Sequence, residues 1–272
     1  MAQSLSNLYL KEMIKTIKNA FNAYAISFRF GLIRNAEPLM RLGYQLFWKP
    51  KDDLDEAVDL VSKNAEQFNF LQIGANDGMI NDPIYKFILR DSWSGIRVEP
   101  LPTPFKKLSY LHGRNGRILP LQCLVADSSG EMELYHLAFS DSRWATGIAS
   151  LDKSNLQRQI DNGYVEGRAN KYGEELPVDK ETWITSSTLR VLEINELISQ
   201  NFQNGLDLLQ IDVEGFDHKL IAALNFDVIK PKLIRFEHLH IPDNELSGCL
   251  DKLENAGYLI KKSDMDYLAI LN

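Results

Sequence analysis

The sequence has few cysteines and no long apolar stretch. Cys123 and Cys249 are its only cysteines in 272 residues, and they stand far apart without a metal-binding spacing. This argues against a disulfide-stabilised scaffold or a zinc site, and it fits a reducing compartment. Arg29 and Arg34 interrupt the best candidate for a membrane span. The first five residues lack the features of a secretory signal, so we expect a cytoplasmic protein.

A net positive charge is confined to the N-terminal region, since acidic residues outnumber basic ones in the rest of the chain. Residues 1–51 contain eight Lys and Arg and two Glu, a net charge of +6, whereas the whole chain has −7, so the remainder has −13. Phosphate binding depends on clustered basic residues. An acidic body therefore argues against nucleic-acid binding.

Residues 1–53 are predicted to form an N-terminal helical extension. Apolar residues recur there at three- and four-residue spacing with lysines between them, and Pro38 indicates the start of a second helix. One hypothesis is that the extension packs on the domain or on a partner subunit. Another is that it makes peripheral contact with an anionic membrane or covers the substrate. The sequence leaves both hypotheses and the oligomeric state open.

Residues 54–272 are predicted to form one α/β domain. Helices and short apolar strands alternate, which predicts βαβ crossovers and a parallel sheet covered on both faces. The last two strands, 258–262 and 267–271, are joined so closely that they must be antiparallel. Residues 140–187 are polar and irregular in pattern, which predicts a functional or mobile loop or insertion.

The stretch from Phe70 to Gly78 is an apolar run that breaks into a turn bracketed by Gly74 and Gly78. A buried strand, a tight turn and a helix have this pattern, and the turn leaves backbone N–H groups free for a polar ligand. Plain strand–turn–helix packing is the alternative. The next predicted strand ends at Glu99. An acid at this place in doubly wound folds accepts hydrogen bonds from both hydroxyls of a ribose, although a solvated strand end is also consistent.

These two features together predict a nucleoside-containing cofactor. The turn lacks the G-x-G-x-x-G pattern that places a helix N-terminus on a pyrophosphate, which disfavours NAD. S-adenosylmethionine has no phosphate and needs only a short turn around its amino-acid end, so it is the favoured cofactor.

A second polar group follows the apolar strand near residues 208–211. Asp212 and Glu214 come at its carboxyl end, where open α/β sheets bind ligands. Acids there suit proton abstraction, positioning of the cationic groups of a cofactor, or coordination of a divalent metal. Helix capping is the alternative, above all for Asp217.

A third polar group ends the next predicted strand. Glu237, His238 and His240 are predicted to lie at its mouth, where a histidine can act as a general base near neutral pH. His218, on the helix after Asp212, is predicted to face the same region. A structural hydrogen-bonding role is the alternative for each histidine.

Taken in order, these motifs resemble the FkbM family of S-adenosylmethionine-dependent methyltransferases across residues 66–272. Two departures from the family pattern are Gln210, where Lys is usual, and Phe216-Asp217, where Ala-Glu is common. The stretches that carry the resemblance are Gly74-x-Asn76-Asp77-Gly78, Val98-Glu99-Pro100, Ala126-Asp127-x-x-Gly130, Ser150-Leu151, Leu192-x-x-x-Glu196-Leu197, Leu209 to Gly215, and Phe236-Glu237.

The resemblance implies a class I methyltransferase (Rossmann-like) fold, a seven-stranded sheet of order 3-2-1-4-5-7-6 with an antiparallel last strand. It also implies methyl transfer to oxygen, commonly on a sugar or polyketide hydroxyl. Glu99 would then hold the ribose, and Asp127 would lie beside the adenine. The full set of expected cofactor-binding residues is Gly74, Ala75, Asn76, Asp77, Gly78, Glu99, Asp127 and Asp212.

The sequence therefore predicts an S-adenosylmethionine-dependent O-methyltransferase that acts on a small-molecule or glycan acceptor. One alternative is a non-catalytic protein of this fold that docks through its basic N-terminal helices, and another is an NAD-linked oxidoreductase. The candidate catalytic residues are Asp212, His238 and Glu237. The candidate acceptor-binding residues are Glu214, His218, Trp144 and Ser150.

Overall fold

The computed structural model describes Ile17, Phe21 and residues 24–272. The predicted helical residues Leu8, Met13 and Ile14 lie outside the described residues. The strands are β1 (Asn69–Ile73), β2 (Ser94–Val98), β3 (Ile118–Leu121), β4 (Leu124–Ala126), β5 (Gly130–Leu137), β6 (Ile184–Glu193), β7 (Leu208–Ile211), β8 (Leu233–Glu237), β9 (Tyr258–Lys262) and β10 (Asp266–Leu271).

The helices surround these strands. Residues 24–35 are helical and are called α1. The other helices are α2 (Glu37–Phe47), α3 (Asp53–Asn64), α4 (Tyr85–Asp91), α5 (Pro102–His112), α6 (Arg143–Thr146), α7 (Lys153–Asp161), α8 (Tyr164–Tyr172), α9 (Ile194–Asn201), α10 (Asp217–Ala223) and α11 (Asp243–Asn255), with a 3₁₀ turn at Lys180–Thr182.

Seven strands form the main sheet, in the order β3-β2-β1-β7-β8-β10-β9. The pairs from β3 to β8 are parallel, and β10 is antiparallel to both β8 and β9. Numbered along the sheet's own strands, this is the order 3-2-1-4-5-7-6. The predicted class I methyltransferase fold is confirmed.

The sheet is covered on both faces because successive strand residues point to opposite sides. In β1, Leu71 and Ile73 belong to one core with apolar residues of α9, α10 and α11. Phe70 belongs to a second core with apolar residues of α3 and α4. The sheet edge at the carboxyl ends of β1, β2 and β7 is left free for a ligand.

The prediction of an irregular loop over residues 140–187 was wrong. This segment contains α6, α7, α8 and the start of β6. Trp144, Trp183 and Leu156 are buried in a core of its own. The start of β6 places the end of the segment in a second, three-stranded sheet of order β4-β6-β5. The sequence did not predict this small core because the segment is mostly polar and its apolar residues are widely spaced.

The described part of the N-terminal extension packs against the domain. Phe30 and Ile33 of α1 are buried with Met79, Tyr85 and Leu111. Pro38 stands in the first turn of α2, as predicted. None of the described helices is both long and apolar enough to cross a membrane. The division of the chain into 1–53 and 54–272 stays a prediction.

Arg97 fixes the loop that follows the first glycine turn. It is fully buried, pairs with Asp82, and donates from Nε to Gln72 at 2.7 Å and from Nη1 to the Gly78 carbonyl at 2.8 Å. A buried charge needs such partners because desolvation opposes it. The network holds the segment between β1 and α4 in one conformation.

Gly74 allows the carboxyl ends of β1 and β7 to approach each other. Its φ is +84°, and a Cβ atom there would lie 1.8 Å from the carbonyl oxygen of Asp212. Its N–H and that of Ala75 donate to the Val98 carbonyl at 3.0 and 2.9 Å, which also ties the turn to β2. Glycine is the one amino acid that accepts this backbone angle and also leaves room for so close a contact.

We expect Gly74→Ala to lower the free energy of unfolding by about 3 kcal/mol, because the new methyl group overlaps backbone that cannot move alone. Chemical denaturation measures this. Gly116→Ala is the matched control, since a Cβ at Gly116 meets nothing within 4 Å. Equal stability of the two variants would contradict the close approach.

Candidate active site

A cleft opens at the carboxyl ends of β1, β2 and β7. It spans about 780 Å³, a volume that includes the solvent at its open mouth. Gly74 and Glu99 both line it, together with Asp212 and Glu214. The glycine turn and the acid after the second strand therefore face one common space, as the sequence predicts.

The glycine turn contributes unequally to this cleft. Gly74 and Asn76 line it. Asn76 has a φ of +46° and donates from its side chain to Thr146 Oγ1 at 3.2 Å. Asp77 instead accepts from the N–H groups of Met79 and Ile80 at 2.9 and 2.8 Å. These bonds give Asp77 a turn-forming role.

Ala75 and Gly78 are buried in the supporting structure. A Cβ atom at Gly78 would lie 2.4 Å from Leu108 and 2.8 Å from Arg97, so Gly78 is required for packing behind the turn. Neither residue lines the cleft. Their predicted contact with a cofactor stays untested.

Glu99 connects the first two strand ends. Its carboxylate accepts the N–H of Asn76 at 2.8 Å and the N–H of Leu101 at 2.9 Å. It is 5% exposed, and burial raises the pKa of Glu99 to about 7 although these two donors lower it. Each carboxylate oxygen keeps a further lone pair that can accept a hydrogen bond from a hydroxyl group.

An apolar wall lies next to Glu99. It is built from Leu101 after β2, Leu124 and Val125 of β4, Leu134 of β5 and Leu151. Such a wall suits a flat aromatic ring. Sequence reasoning missed it because it depends on the second sheet, which the local pattern did not show.

Asp127, the residue expected beside an adenine, is exposed and is not among the residues that line the cleft. Its side chain accepts from Ser128 Oγ at 3.3 Å. Its cofactor role stays a prediction.

A tight turn places the acids that follow β7. Glu214 and Gly215 have φ values of +52° and +94°. The Glu214 carbonyl accepts from Ser150 Oγ and Asn155 Nδ2, both at 3.1 Å. Asp217 Oδ2 accepts from the Gly215 N–H at 3.3 Å. The loop before α7 and the start of α10 therefore hold this turn in place.

Burial and mutual repulsion make these carboxyls hard to ionise. The side chain of Asp212 has an exposed surface on the cleft. Because protein surrounds the rest of its carboxyl, burial, and then the charge of Asp266, raises the pKa of Asp212 to about 6. Burial and then Asp212 raise the pKa of Asp217 and that of Glu237 to about 8. Burial, Glu237 and Asp212 raise the pKa of Glu214 well above its usual value.

Arg143, at the start of α6, is the cation that faces this acidic group. It lines the cleft, and its Nε lies 3.5 Å from Asp77 Oδ2. Its charge acts to lower the pKa of Glu99, that of Asp212 and that of Glu214. Sequence reasoning missed Arg143 because it comes from the segment taken for a loop.

Glu214, Glu237 and His240 offer ligand atoms that all lie within 4.8 Å of one another. Within the described residues this is the group that could hold a divalent cation. His240 Nε2 is 3.3 Å from Glu214 Oε2, and burial, then Arg158, lowers the pKa of His240. We assign no ion to the group, and metal binding stays untested.

The remaining candidates lie beside the cleft or behind it. The His238 ring packs on Tyr267 with ring centres 4.8 Å apart, and His218 accepts from Cys249 through its carbonyl. Trp144 is buried and donates to Glu174 at 3.0 Å. Ser150 is 1% exposed. None of these four lines the cleft, whereas Glu214 does.

A comparison with protein families finds one match. The profile described as "Methyltransferase FkbM domain" matches residues 72–260. A comparison with curated protein sequences gives no significant match.

Solved structures of methyltransferases are also similar to this chain, at low levels. An FkbM methyltransferase from Methylobacillus flagellatus KT is 12% identical with a TM-score of 0.43, over 75% of this chain and 43% of that chain. Precorrin-6y C5,15-methyltransferase from Geobacter metallireducens GS-15 is 12% identical with a TM-score of 0.37, over 82% of this chain and 93% of that chain. A Bacillus cereus O-methyltransferase in complex with SAH is 11% identical with a TM-score of 0.36, over 88% and 90%. The fold assignment depends on the observed strand order instead.

The buried Asp217 carboxyl gives a testable pH dependence. Because its pKa is raised to about 8 in the folded protein, folding favours its protonated form, and this contribution to stability is lost as the pH rises from about 4 to about 8. Asp217→Asn keeps the shape and cannot ionise. Its free energy of unfolding should therefore fall less steeply with pH than that of the wild-type protein, by up to about 1.4 kcal/mol per pH unit.

Urea unfolding at several pH values measures this slope. Asp251→Asn, on the exposed side of α11, is the control and should follow the wild-type curve. Parallel curves for wild type and Asp217→Asn would show that Asp217 is already ionised in the folded protein.

Proposed function

Because the chain belongs to the FkbM family of methyltransferases, we propose that it transfers the methyl group of S-adenosylmethionine to a hydroxyl oxygen of a sugar, glycan or related small-molecule acceptor. The observation that supports this most is the shared cleft, which the Gly74 turn, Glu99 and Asp212 all line. Bound S-adenosylmethionine supplies an electrophilic methyl carbon on a sulfonium. The chain's own residues would bind the cofactor, orient the acceptor hydroxyl and remove its proton.

Cofactor binding is assigned to the first two strand ends. Glu99 would accept hydrogen bonds from the two ribose hydroxyls, and its position is fixed by the two backbone N–H groups that already donate to it. Gly74, Asn76 and Arg143 line the cleft together, and there Asn76 and Arg143 would hold the amino-acid end through polar contacts. The apolar wall that includes Leu134 and Leu151 would enclose the adenine ring.

Proton removal is assigned to Asp212. It lines the cleft, and with a pKa of about 6 it is largely ionised at neutral pH while remaining basic enough to accept a proton. Glu214 lies next to it and orients the acceptor hydroxyl. His238, the other candidate base, packs on Tyr267 away from the lining, and so Asp212 is preferred.

We expect Glu99→Gln to weaken S-adenosylmethionine binding by about 10- to 100-fold, because hydrogen bonds to a charged acceptor are replaced by weaker ones. In the wild-type protein the affinity should rise as the pH increases through about 7, where Glu99 ionises. The variant should lose this dependence. Isothermal titration calorimetry measures both.

Glu131→Gln, an exposed acid on β5, is the matched control and should bind as the wild type does. Unchanged affinity in a folded Glu99→Gln protein would remove Glu99 from the cofactor site. Failure of the wild-type protein to bind S-adenosylmethionine would favour a non-catalytic member of this fold.

We expect Asp212→Asn to lower turnover by about 10²-fold or more, because the amide cannot accept the acceptor's proton. The loss of rate below about pH 6 in the wild type should disappear in this variant. Mass spectrometry of products from a panel of sugar acceptors measures turnover, and NMR locates the methyl group. An N- or C-methylated product would contradict O-methylation.

His238→Asn provides the comparison for this assignment. An equal or larger loss of turnover there would make His238 the base. The same assay repeated after treatment with a chelator tests for a divalent cation at Glu214, Glu237 and His240.

A further inference from the structure

The outer face of α1 is apolar and faces solvent. Tyr24 and Phe28 are 71% and 56% exposed, and their rings stack with centres 6.5 Å apart. Ile17 and Phe21, at the same helical spacing before them, are 60% and 70% exposed. The opposite side, with Phe30 and Ile33, is buried against the domain. A helix with apolar residues on two opposite sides is stabilised when both sides contact an apolar surface, and the domain covers only one side of α1.

The outer face of α2 has the same character. Leu39, Leu42 and Leu46 follow one another at helical spacing and are 68%, 50% and 64% exposed, and Phe47 is 84% exposed. The inner side of α2 packs Met40 and Tyr44 on the domain. It also makes polar contacts, since Glu37 pairs with Arg117 and Arg41 donates to Ser92 at 2.7 Å. No described residue covers the leucines. The inner side already holds α2 on the domain, so the exposed leucines of the outer face are available to contact another surface.

Charge decides which surface fits. Residues 1–51 have a net charge of +6, whereas the rest of the chain has −13. Two copies of this chain placed face to face would bring like charges together. An anionic lipid surface attracts the segment and repels the acidic body, which orients the molecule.

Side chains at the end of α2 support the same choice. Lys49 and Lys51 are exposed, and they follow Phe47, which is 84% exposed. Aromatic rings beside basic residues are typical of segments that lie at a membrane interface. Apolar side chains would enter the acyl boundary while these cations meet the headgroups.

We propose that the outer faces of α1 and α2 dock the protein on an anionic membrane surface. The docking is peripheral, since the contact uses helix faces and no span. It is independent of methyl transfer, because none of these residues lines the catalytic cleft.

Co-sedimentation of the full-length protein with vesicles tests this. The probes are phosphatidylcholine vesicles with and without phosphatidylglycerol. We expect binding only to the anionic vesicles, and its loss as salt rises from about 0.1 M to about 1 M, which shortens the Debye length from about 10 Å to about 3 Å. Leu42→Gln with Leu46→Gln, and separately Phe28→Gln, should each reduce the bound fraction roughly tenfold or more.

The control is Val178→Gln with Val228→Gln, since both valines are exposed elsewhere, at 104% and 71%. It should bind as the wild type does, and thermal unfolding should match in all variants. No binding of the wild type to anionic vesicles, or equal binding of the leucine variant, would overturn the proposal. So would a wild-type dimer in analytical ultracentrifugation that the leucine variant abolishes, because the face would then join two copies.

Discussion

The missing side chain at Gly74 determines how closely the ends of β1 and β7 meet. Any Cβ there would overlap the Asp212 carbonyl, and so the turn after β1 and the acid after β7 are neighbours only because residue 74 is glycine. The backbone angle adds a second requirement, since a positive φ is strained for other residues. The shape of the cleft at this point is thus a backbone property, and the side chains around it add chemistry to a space already formed.

Glu99 connects the turns that follow β1 and β2, just as Gly74 allows the ends of β1 and β7 to approach each other. Its two oxygens accept one N–H from each of the two turns. Burial opposes ionisation while the donors favour it, and the raised pKa of about 7 shows that burial is the larger effect. A ligand that offers hydroxyl donors would add favourable contacts to the charged form. Ligand binding and ionisation of Glu99 therefore reinforce each other.

The main sheet was predictable from sequence because its strands are apolar runs that end in local turn signals, and the terminal hairpin follows from its short connection. The cleft was only partly predictable. Glu237 is the last residue of β8 and His238 lies just after it. Glu237 is near the acids, whereas the His238 ring packs on Tyr267. Arg143 and the apolar wall come from the second sheet and its helices. Their positions depend on tertiary packing, which no local pattern encodes.

The electrostatics of the cleft favour a cationic ligand over a nucleotide. Burial raises the pKa values of Asp212, Glu214 and Glu237, and neighbouring carboxyls raise each of them further, so the cleft opposes any added negative charge. A diphosphate would add two more negative charges, against which only Arg143 lines the cleft as a full cation. A sulfonium and an ammonium group relieve the repulsion instead. The absence of a G-x-G-x-x-G turn and the acidic lining of the cleft thus disfavour NAD for separate reasons, one from backbone geometry and the other from charge.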